Sequence, residues 1–251
     1  MERFKNKNIM ITGAASGIGK AVAYRIAKEQ GNLILLDINA ESLKTLANEL
    51  KQYNHKALIA QCDVANFSET QDVITKLSDE LGGINALSHN AGIMHCYNTH
   101  SMTIEEWNQI ISINLTGTFN VNRAALPYLL KNTNSYLVNT ASIAVEQAHP
   151  WLSAYSASKG GIVSFTRSIA LEYALQGLHA NCVLPGGVET ELAAKFSFPD
   201  GVNKDLVKML SPLGNHKPAK TDSIANVIAL LCSDEANHIN GTEVRIDGGK
   251  I

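Results

Sequence analysis

Cysteine is scarce in this sequence, and its spacing argues against a thiolate metal site. The 251 residues include four cysteines, none close to another in sequence: Cys62, Cys96, Cys182 and Cys232. Structural zinc sites draw their cysteines from closely spaced pairs, which this chain lacks. Each cysteine lies in or beside an apolar stretch, so we expect reduced thiols that pack as small hydrophobic side chains, and no bound metal.

Long apolar runs and blocks of like charge are also missing. No apolar run reaches the roughly 18 residues that a membrane-spanning helix needs, so we expect no membrane span. The 21 Lys and Arg residues nearly balance the 23 Asp and Glu residues, and the formal net charge is −2. This balance favours neither nucleic acid nor an anionic membrane surface as a partner. The N-terminal stretch MERFKNKN has no apolar segment typical of secretory signals, so we expect a cytoplasmic protein.

What the sequence does contain is an alternation of short apolar runs with helical patterns. The apolar runs are hydrophobic almost throughout, as strands covered on both faces are: NIMIT, NLILLD, KALIAQCDV, INALSHNAG, SYLVNTAS and HANCVLPGG. Helical periodicity occupies residues 17–30, 40–53, 67–81, 103–130, 154–175 and 221–231. The alternation predicts βαβ units, a parallel sheet and an α/β fold.

The chain shows no linker and no internal repeat, so we expect one domain over residues 1–251. Its irregular stretch is residues 189–220, which hold Pro199, Gly201, Pro212 and Pro218. This is too long for an ordinary connection, and such stretches are often lids or binding elements. We therefore predict a substrate-covering loop at about residues 190–215.

A glycine cluster follows the first apolar run, in the stretch NIMITGAASGIGKAVAYRIA. Gly13, Gly17 and Gly19 allow a tight turn and the close approach of a pyrophosphate, which the N-terminus of the next helix attracts. A purely structural turn is the alternative. Asp37 ends the second run, 18 residues after Gly19, where a ribose-binding carboxylate belongs. An N-cap role for Asp37 is the alternative there, and the two roles are compatible.

The stretch SAYSASKGG places Tyr155 four residues before Lys159, on one face of a predicted helix. A free phenol has a pKa of about 10, and a nearby ammonium group lowers it. We therefore expect Lys159 to lower the pKa of Tyr155 and so to suit it for proton transfer. The alternative is an exposed surface pair without a chemical role.

These motifs and several others, in the same order, resemble the short-chain dehydrogenase/reductase family. TGAASGIG resembles its coenzyme motif, and the further matches are CDV, HNAG, SINLTGTF, NTASIA, YSASK, LPGGVET and IDGG. His89 departs from the pattern, because the family has asparagine at the first position of HNAG. The resemblance covers nearly the whole chain. It implies a doubly wound Rossmann domain whose seven-stranded parallel sheet carries helices on both faces.

The resemblance also implies four catalytic residues. Tyr155 would exchange a proton with the substrate oxygen while hydride moves to or from nicotinamide, and Ser142 would hydrogen-bond that oxygen. Lys159 would bind the nicotinamide ribose, and Asn114 would hold a water in a proton relay that runs to Lys159. Ser142 as a strand-end cap and Asn114 as a tertiary hydrogen-bonding residue are the alternatives.

A larger set is implied to bind the coenzyme. Asp63 would meet the adenine ring, and Thr190 would bond the nicotinamide carboxamide. No cation stands in the glycine motif or directly after Asp37, so we expect NAD rather than NADP. The full set is Gly13, Ser16, Gly17, Ile18, Gly19, Asp37, Asp63, Val64, Asn90, Ala91, Gly92, Tyr155, Lys159, Pro185, Gly186, Val188 and Thr190.

The activity expected is an NAD-dependent oxidation or reduction of a secondary alcohol or ketone. An NADPH-dependent reductase similar to 3-oxoacyl carrier-protein reductases is the first alternative. Gln176 and the stretch KNTNS stand where those reductases carry arginine, which weakens that alternative. A catalytically silent coenzyme-binding regulator is the second, and the presence of Tyr155 and Lys159 disfavours it. In the family, helices corresponding to residues 103–130 and 154–175 form the interface of a homotetramer, which we expect here too.

Several other residues are open between two roles. Trp151, Phe196 and Phe198 either wall an apolar substrate pocket or serve in packing. His95 and His149 either border the substrate cleft or are ordinary loop histidines. The sequence carries no readable code for the substrate itself.

Overall fold

The computed structural model describes residues 2–53, 56–194, 196–210 and 217–249. Seven strands form one parallel sheet in the order β3-β2-β1-β4-β5-β6-β7. Their bounds are β1 Asn8–Thr12, β2 Asn32–Asp37, β3 Ala57–Gln61, β4 Ala86–His89, β5 Ser135–Thr140, β6 Leu178–Pro185 and β7 Glu243–Ile246. The order reverses between β1 and β4, which confirms the doubly wound Rossmann fold and places the ligand crevice at their carboxyl ends.

Helices cover both faces of the sheet, as its apolar strands require. The helices are α1 Gly17–Lys28, α2 Ala40–Leu50, α3 Phe67–Leu81, α4 Ile104–Ile111, α5 Gly117–Leu129, α6 Ser153–Glu172, α7 Glu191–Ala194, α8 Lys204–Met209 and α9 Thr221–Leu231. Alternate strand residues face opposite layers: Ile9 and Ile11 pack with α1, α2 and α9, whereas Met10 packs with α3, α5 and α6.

Local sequence explains where several helices begin and end. The Asn39 side chain accepts a hydrogen bond from Ser42 N at 3.0 Å and caps α2. Thr103 and Glu106 form a capping box that starts α4. Gly82 ends α3 in the left-handed conformation, with φ of 85°. None of the helices in the described residues is both long and apolar enough to cross a membrane.

Two helix predictions need correction. The helix predicted over residues 103–130 is divided by a π-helical turn at Ser112–Thr116, so α4 and α5 are separate segments around it. The first helix, predicted over residues 17–30, ends at Lys28, and Gln30 behind it is left-handed, with φ of 65°. Glycine at position 31 is required for packing, because a Cβ there would meet Ile26 Cγ2 at 2.5 Å and Phe4 Cβ at 2.8 Å.

The two ends of the irregular stretch, residues 189–220, are held together by backbone hydrogen bonds. Glu189 N donates to Ala219 O at 2.9 Å, and Ala219 N donates to Gly187 O at 2.8 Å, so the two ends are joined. Between them lie the short helices α7 and α8. Part of the predicted 190–215 loop, residues 195 and 211–215, lies outside the described residues.

Candidate active site

The glycine turn lies at the carboxyl end of β1 and leads into α1. Gly13 and Gly17 have φ of 61° and 51°, which favours glycine, and a Cβ on Gly13 would meet Ala91 N at 2.9 Å. A Cβ on Gly19 would meet Gly13 O at 2.1 Å, so the turn and the helix pack without room for a side chain. Ser16 is the N-cap residue of α1, but its side chain makes no capping hydrogen bond. The N-terminus of α1 therefore has the open donors that suit a phosphate.

Asp37 ends β2 beside this turn, and backbone groups orient its carboxylate. Its Oδ2 accepts from Ala15 N at 2.9 Å, and its Oδ1 accepts from Asn39 N at 3.0 Å. The N-cap alternative for Asp37 is wrong, because Asn39 caps α2. Ile38 follows Asp37 with 61% of its side chain exposed, an apolar surface beside the carboxylate that the sequence analysis missed.

Lys20 directly follows the glycine turn and Lys44 lies seven residues after Asp37, and each is paired with a carboxylate. Lys20 Nζ lies 3.1 Å from Glu49, and Lys44 Nζ lies 2.7 Å from Glu41. A phosphate beside Asp37 would compete with these glutamates for the two ammonium groups.

Asp63 and Val64 follow β3 and are held by their neighbours. Asp63 Oδ1 accepts from Ala65 N at 2.9 Å, and Val64 O accepts from Asn120 Nδ2 at 2.9 Å. A Cβ on Gly117 would meet Val64 Cγ2 at 2.8 Å, so α5 packs closely on this turn.

The end of β4 is tied to β1 through Thr12. Its hydroxyl accepts from Asn90 N at 3.1 Å and Ala91 N at 3.3 Å, and it lies 2.8 Å from His89 Nδ1. Since the two backbone groups must donate, the hydroxyl proton points to Nδ1, and His89 carries its own proton on Nε2. Asn90 in turn accepts from Thr140 Oγ1 at 2.8 Å and so links β4 to β5.

His89 is fully buried and neutral. Burial, and to a smaller extent the nearby charge of Lys159, lowers the pKa of His89 to about 3. Its Nε2 has no hydrogen-bond partner among the residues that the structure describes. Histidine in place of the family's asparagine thus makes one hydrogen bond, to Thr12. Its Nε2 stays buried without a partner among the described residues.

Tyr155 and Lys159 lie one turn apart on α6 and are both buried, at 8% and 4% exposed, so the exposed-pair alternative is wrong. Lys159 Nζ donates to Thr140 O at 2.8 Å and lies 5.7 Å from the centre of the Tyr155 ring. Burial lowers the pKa of Lys159 to about 8.

The effect on the tyrosine differs from the expectation. Burial raises the pKa of Tyr155, and a hydrogen bond with the Ser142 side chain partly opposes that rise. The expectation that Lys159 lowers this pKa is wrong for this structure, because desolvation of the phenol dominates. Ser142 also accepts from Ala144 N at 3.2 Å, so it caps a short turn as well as meeting Tyr155.

Asn114 lies in the π-helical turn and is fully buried. Its Oδ1 accepts from Ile93 N at 2.8 Å, and its Nδ2 donates to Ile93 O at 2.9 Å and to Ser158 Oγ at 3.0 Å. The Asn114 side chain therefore makes tertiary hydrogen bonds, as the alternative interpretation of this residue expects. A Cβ on Gly92 would lie 3.2 Å from Asn114 Oδ1 and 3.4 Å from Lys159 Nζ, so glycine lets both approach. The water relay stays a prediction.

The segment after β6 faces the glycine turn across the crevice. A Cβ on Gly17 would lie 3.3 Å from Thr190 Cγ2, and the Thr190 hydroxyl accepts from Ala193 N at 3.1 Å. A Cβ on Gly186 would meet Asp247 Cα at 2.9 Å. Position 186 therefore requires glycine, because the backbone after β6 passes close to the residue that follows β7.

One cleft of about 420 Å³ brings many of the predicted residues together at the carboxyl edge of the sheet. Those that line it are Ser16, Gly17, Ile18, Gly92, Ser142, Tyr155, Lys159, Pro185, Gly186, Val188 and Thr190. The other predicted residues do not line it: Gly13, Gly19, Asp37, Asp63, Val64, Asn90, Ala91 and Asn114. Of these, Asp37, Asp63 and Val64 end the neighbouring strands β2 and β3, and Asn114 lies behind Gly92.

The sequence analysis missed other residues that build the site. Thr12 ends β1 and orients His89. Thr140 ends β5 and orients Asn90 and Lys159. A polar residue at the end of an apolar strand was the available signal. His149 lines the cleft and His95 does not. Within the described ranges, no three His, Cys, Asp or Glu side chains are grouped as metal ligands.

Comparison with known proteins gives matches over nearly the whole length. The family model for short chain dehydrogenases matches residues 7–199. The chain is 35% identical over 253 aligned positions to oxidoreductase UcpA of Salmonella typhimurium, covering 99% of this chain and 96% of that protein. It is 34% identical over 249 positions to the 3-oxoacyl-[acyl-carrier-protein] reductase FabG of Thermotoga maritima, covering 99% of both.

A solved structure shares the fold. Carveol dehydrogenase from Mycobacterium avium, in complex with NAD, matches with a TM-score of 0.90 at 25% identity. The match covers 100% of this chain and 99% of that chain.

Proposed function

Because the chain belongs to the short-chain dehydrogenase/reductase family of oxidoreductases, we propose that it transfers hydride between NAD and a secondary alcohol or ketone. The observation that carries this proposal is the set of half-buried Ser142 and buried Tyr155 and Lys159 at the wall of the cleft. The side chains of Ser142 and Tyr155 meet there, where a substrate oxygen would lie. The family's substrate is a small molecule.

The residues present fit a dinucleotide. Gly13 and Gly17 give the backbone a turn that side chains would block, and the open N-terminus of α1 suits a pyrophosphate. The orientation of the Asp37 carboxylate suits the hydroxyls of the adenosine ribose, and exposed Ile38 suits one face of adenine. Thr190 would meet the nicotinamide carboxamide. When bound, the coenzyme supplies an acceptor or a donor of hydride.

The protein's own part is to bind the substrate oxygen and to move a proton. Ser142 would donate a hydrogen bond to that oxygen and stabilise charge that develops there. A buried Tyr155 of raised pKa is protonated at neutral pH, which suits it to give its proton to a carbonyl oxygen in the reduction. Lys159, whose Nζ donates to Thr140 O, would position the nicotinamide ribose next to the Tyr155 phenol.

NAD is proposed rather than NADP because of charge. The 2′-phosphate of NADP would face the Asp37 carboxylate, while Lys20 and Lys44 are engaged by Glu49 and Glu41. The NAD complex of the carveol dehydrogenase relative also supports this choice.

Reduction of a 3-oxoacyl thioester with NADPH is the second candidate, and the likeness to FabG favours it. The cleft disfavours it. Among the described residues that line the cleft, the cations are Lys159 and, when protonated, His149, and Lys159 is buried against Thr140 O. An acidic carrier protein and its phosphopantetheine would find no further cation among these described residues. A catalytically silent regulator is a third candidate, which would bind the coenzyme without turning over a substrate.

The test of this function is a screen of alcohols and ketones with both coenzymes, paired with Tyr155→Phe. That variant keeps the ring but lacks the transferable proton, so kcat should fall at least about 100-fold. NAD binding, followed by titration, should change little. Near-normal turnover by Tyr155→Phe would refute the role of Tyr155. Coenzyme binding without turnover of any substrate would favour the regulator.

Two further features belong to the proposal. Exposed apolar side chains lie on α4, α5 and α6 (Ile104, Trp107, Phe119 and Leu171), and they support a homotetramer assembled through these helices. The four cysteines are unpaired, which supports a reducing compartment, the cytoplasm.

A further inference from the structure

The wall of the cleft around Tyr155 is apolar. Tyr155 packs with Ala144 and Leu152, and Met94 and Phe196 pack against that group. The surrounding lining continues the same character, with Ile143, Phe198, Val207 and Leu210. A substrate whose oxygen meets Ser142 and Tyr155 therefore has its carbon body against hydrocarbon.

An aromatic corner closes this wall. The Phe198 ring meets Phe196 edge-on at 4.8 Å and Trp151 edge-on at 5.4 Å between centroids. Trp151 has φ of 66°, a strained conformation for a bulky residue, and its carbonyl accepts from Tyr97 N at 2.9 Å. Strained residues of this kind occur at ligand sites, where the surrounding contacts hold them in place. The corner is thus built before a ligand arrives.

Charge at the cleft is sparse and badly placed for an anion. The ionisable side chains among its described lining residues are Lys159, His149 and Glu191. Lys159 donates to Thr140 O, and Glu191 would repel a phosphate or carboxylate. Arginine does not occur among these described residues.

We propose that the substrate is an uncharged secondary alcohol or ketone with a compact apolar body of one or two rings. This rests on the proposed function and names its substrate class. The cleft of about 420 Å³ must also hold the nicotinamide, which limits the body to this size. In the oxidation, the carbinol C–H bond breaks with hydride passing to nicotinamide. The O–H proton passes to the phenolate form of Tyr155, which is the minor form at neutral pH because burial raises the pKa of this residue, and a C=O bond forms.

The first experiment compares kcat/KM for cyclohexanol, trans-2-decalol, glucose and, in the reduction, the acetoacetyl thioester of N-acetylcysteamine. Each additional buried methylene raises kcat/KM by up to about fourfold. The kcat/KM for decalol should therefore exceed that for cyclohexanol at least about 10-fold. Phe196→Ala should remove most of that gain, because it takes hydrocarbon away from the corner against which the larger ring system packs. Phe67→Ala, which removes a phenyl ring outside the cleft, should keep the gain.

Glucose or the thioester as the preferred substrate would overturn the inference, as would equal rates for the two cyclic alcohols. Binding without turnover provides an independent readout. The chain has two tryptophans, so in Trp107→Phe the fluorescence comes from Trp151 at the corner. Titration with 2-decalone should change it saturably, and glucose should not.

The two proposals fail in different ways. If 2-decalone binds but nothing is turned over with either coenzyme, the proposed function fails, whereas the preference of the cleft for uncharged compact ring compounds stands. If glucose or the thioester is turned over and 2-decalone leaves Trp151 fluorescence unchanged, the proposed function stands and the inference is overturned.

Discussion

At the scale of single residues, we expect the carboxylate of Asp37 to select the coenzyme. Two backbone N–H groups fix it beside the glycine turn, so it cannot turn away from a ligand without losing both bonds. Two unit charges about 4 Å apart repel by ~1 kcal/mol in water and by ~4 kcal/mol at a partly shielded surface. A 2′-phosphate is penalised by this repulsion, whereas ribose hydroxyls can donate to the carboxylate.

We expect NAD to bind about 10- to 1000-fold more tightly than NADP, from that range of repulsion. Asp37→Ala should narrow the gap, mainly by improving NADP binding. Asp37→Asn, which keeps the shape and loses the charge, should do the same if charge is the cause. Fluorescence titration of both coenzymes against the three proteins measures this. Tighter binding of NADPH than NADH by the unaltered protein would contradict it.

His89 determines how stability depends on pH. Its pKa is about 3 in the folded protein and 6.5 in its ordinary state, so the unfolded chain binds more protons between these values. Stability from this residue is complete above about pH 6.5 and falls as the pH drops towards 3. At pH 5 the loss is about 2 kcal/mol, at roughly 1.4 kcal/mol per pH unit.

Urea unfolding at pH 7 and pH 5 tests this expectation. His89→Asn should lose less stability between the two values than the unaltered protein. His100→Asn, at an exposed loop position, should behave as the unaltered protein does. An equal pH dependence in the His89 variant would show that another group is responsible.

At the scale of elements, glycine decides how closely helices and turns pack. Gly31 lies where α1 returns to β2, and the site of its missing Cβ lies against buried Ile26 and Phe4. Gly160 lies inside α6 with no atom within 4 Å of a Cβ built on it. The same substitution should therefore have opposite effects at these two positions.

Gly31→Ala should lower the free energy of unfolding by about 1–3 kcal/mol, through overpacking. Gly160→Ala should raise it by about 0.5–1 kcal/mol, because alanine favours the helix and restricts the unfolded chain. Chemical denaturation of both variants measures the difference. Similar changes at the two positions would refute this account of Gly31.

At the scale of the whole molecule, the question is what covers the outer face of α4, α5 and α6. Phe119 is 44% exposed and meets Phe165 edge-on at 6.4 Å, and Leu171 is 82% exposed. A closed symmetric assembly would bury these side chains.

Light scattering should give about four times the chain mass of 27.1 kDa. Phe119→Asp should reduce that mass, because it places a charge in the proposed interface. Phe67→Asp, on α3, should leave it unchanged. A mass of one chain for the unaltered protein would reject the tetramer.

The sequence by itself determined the fold, the family and the positions of the candidate site residues. It did so because strand periodicity, the glycine turn and the Tyr155–Lys159 spacing are local patterns that short segments carry whole. Tertiary structure decided what depends on neighbours distant in the chain. The hydrogen bonds of Asn114, the partner of His89, the raised pKa of Tyr155 and the contact of Trp151 with Phe198 all arise from residues apart in sequence. Burial and hydrogen bonding between such segments are set only when the chain has folded, so no local pattern could reveal them.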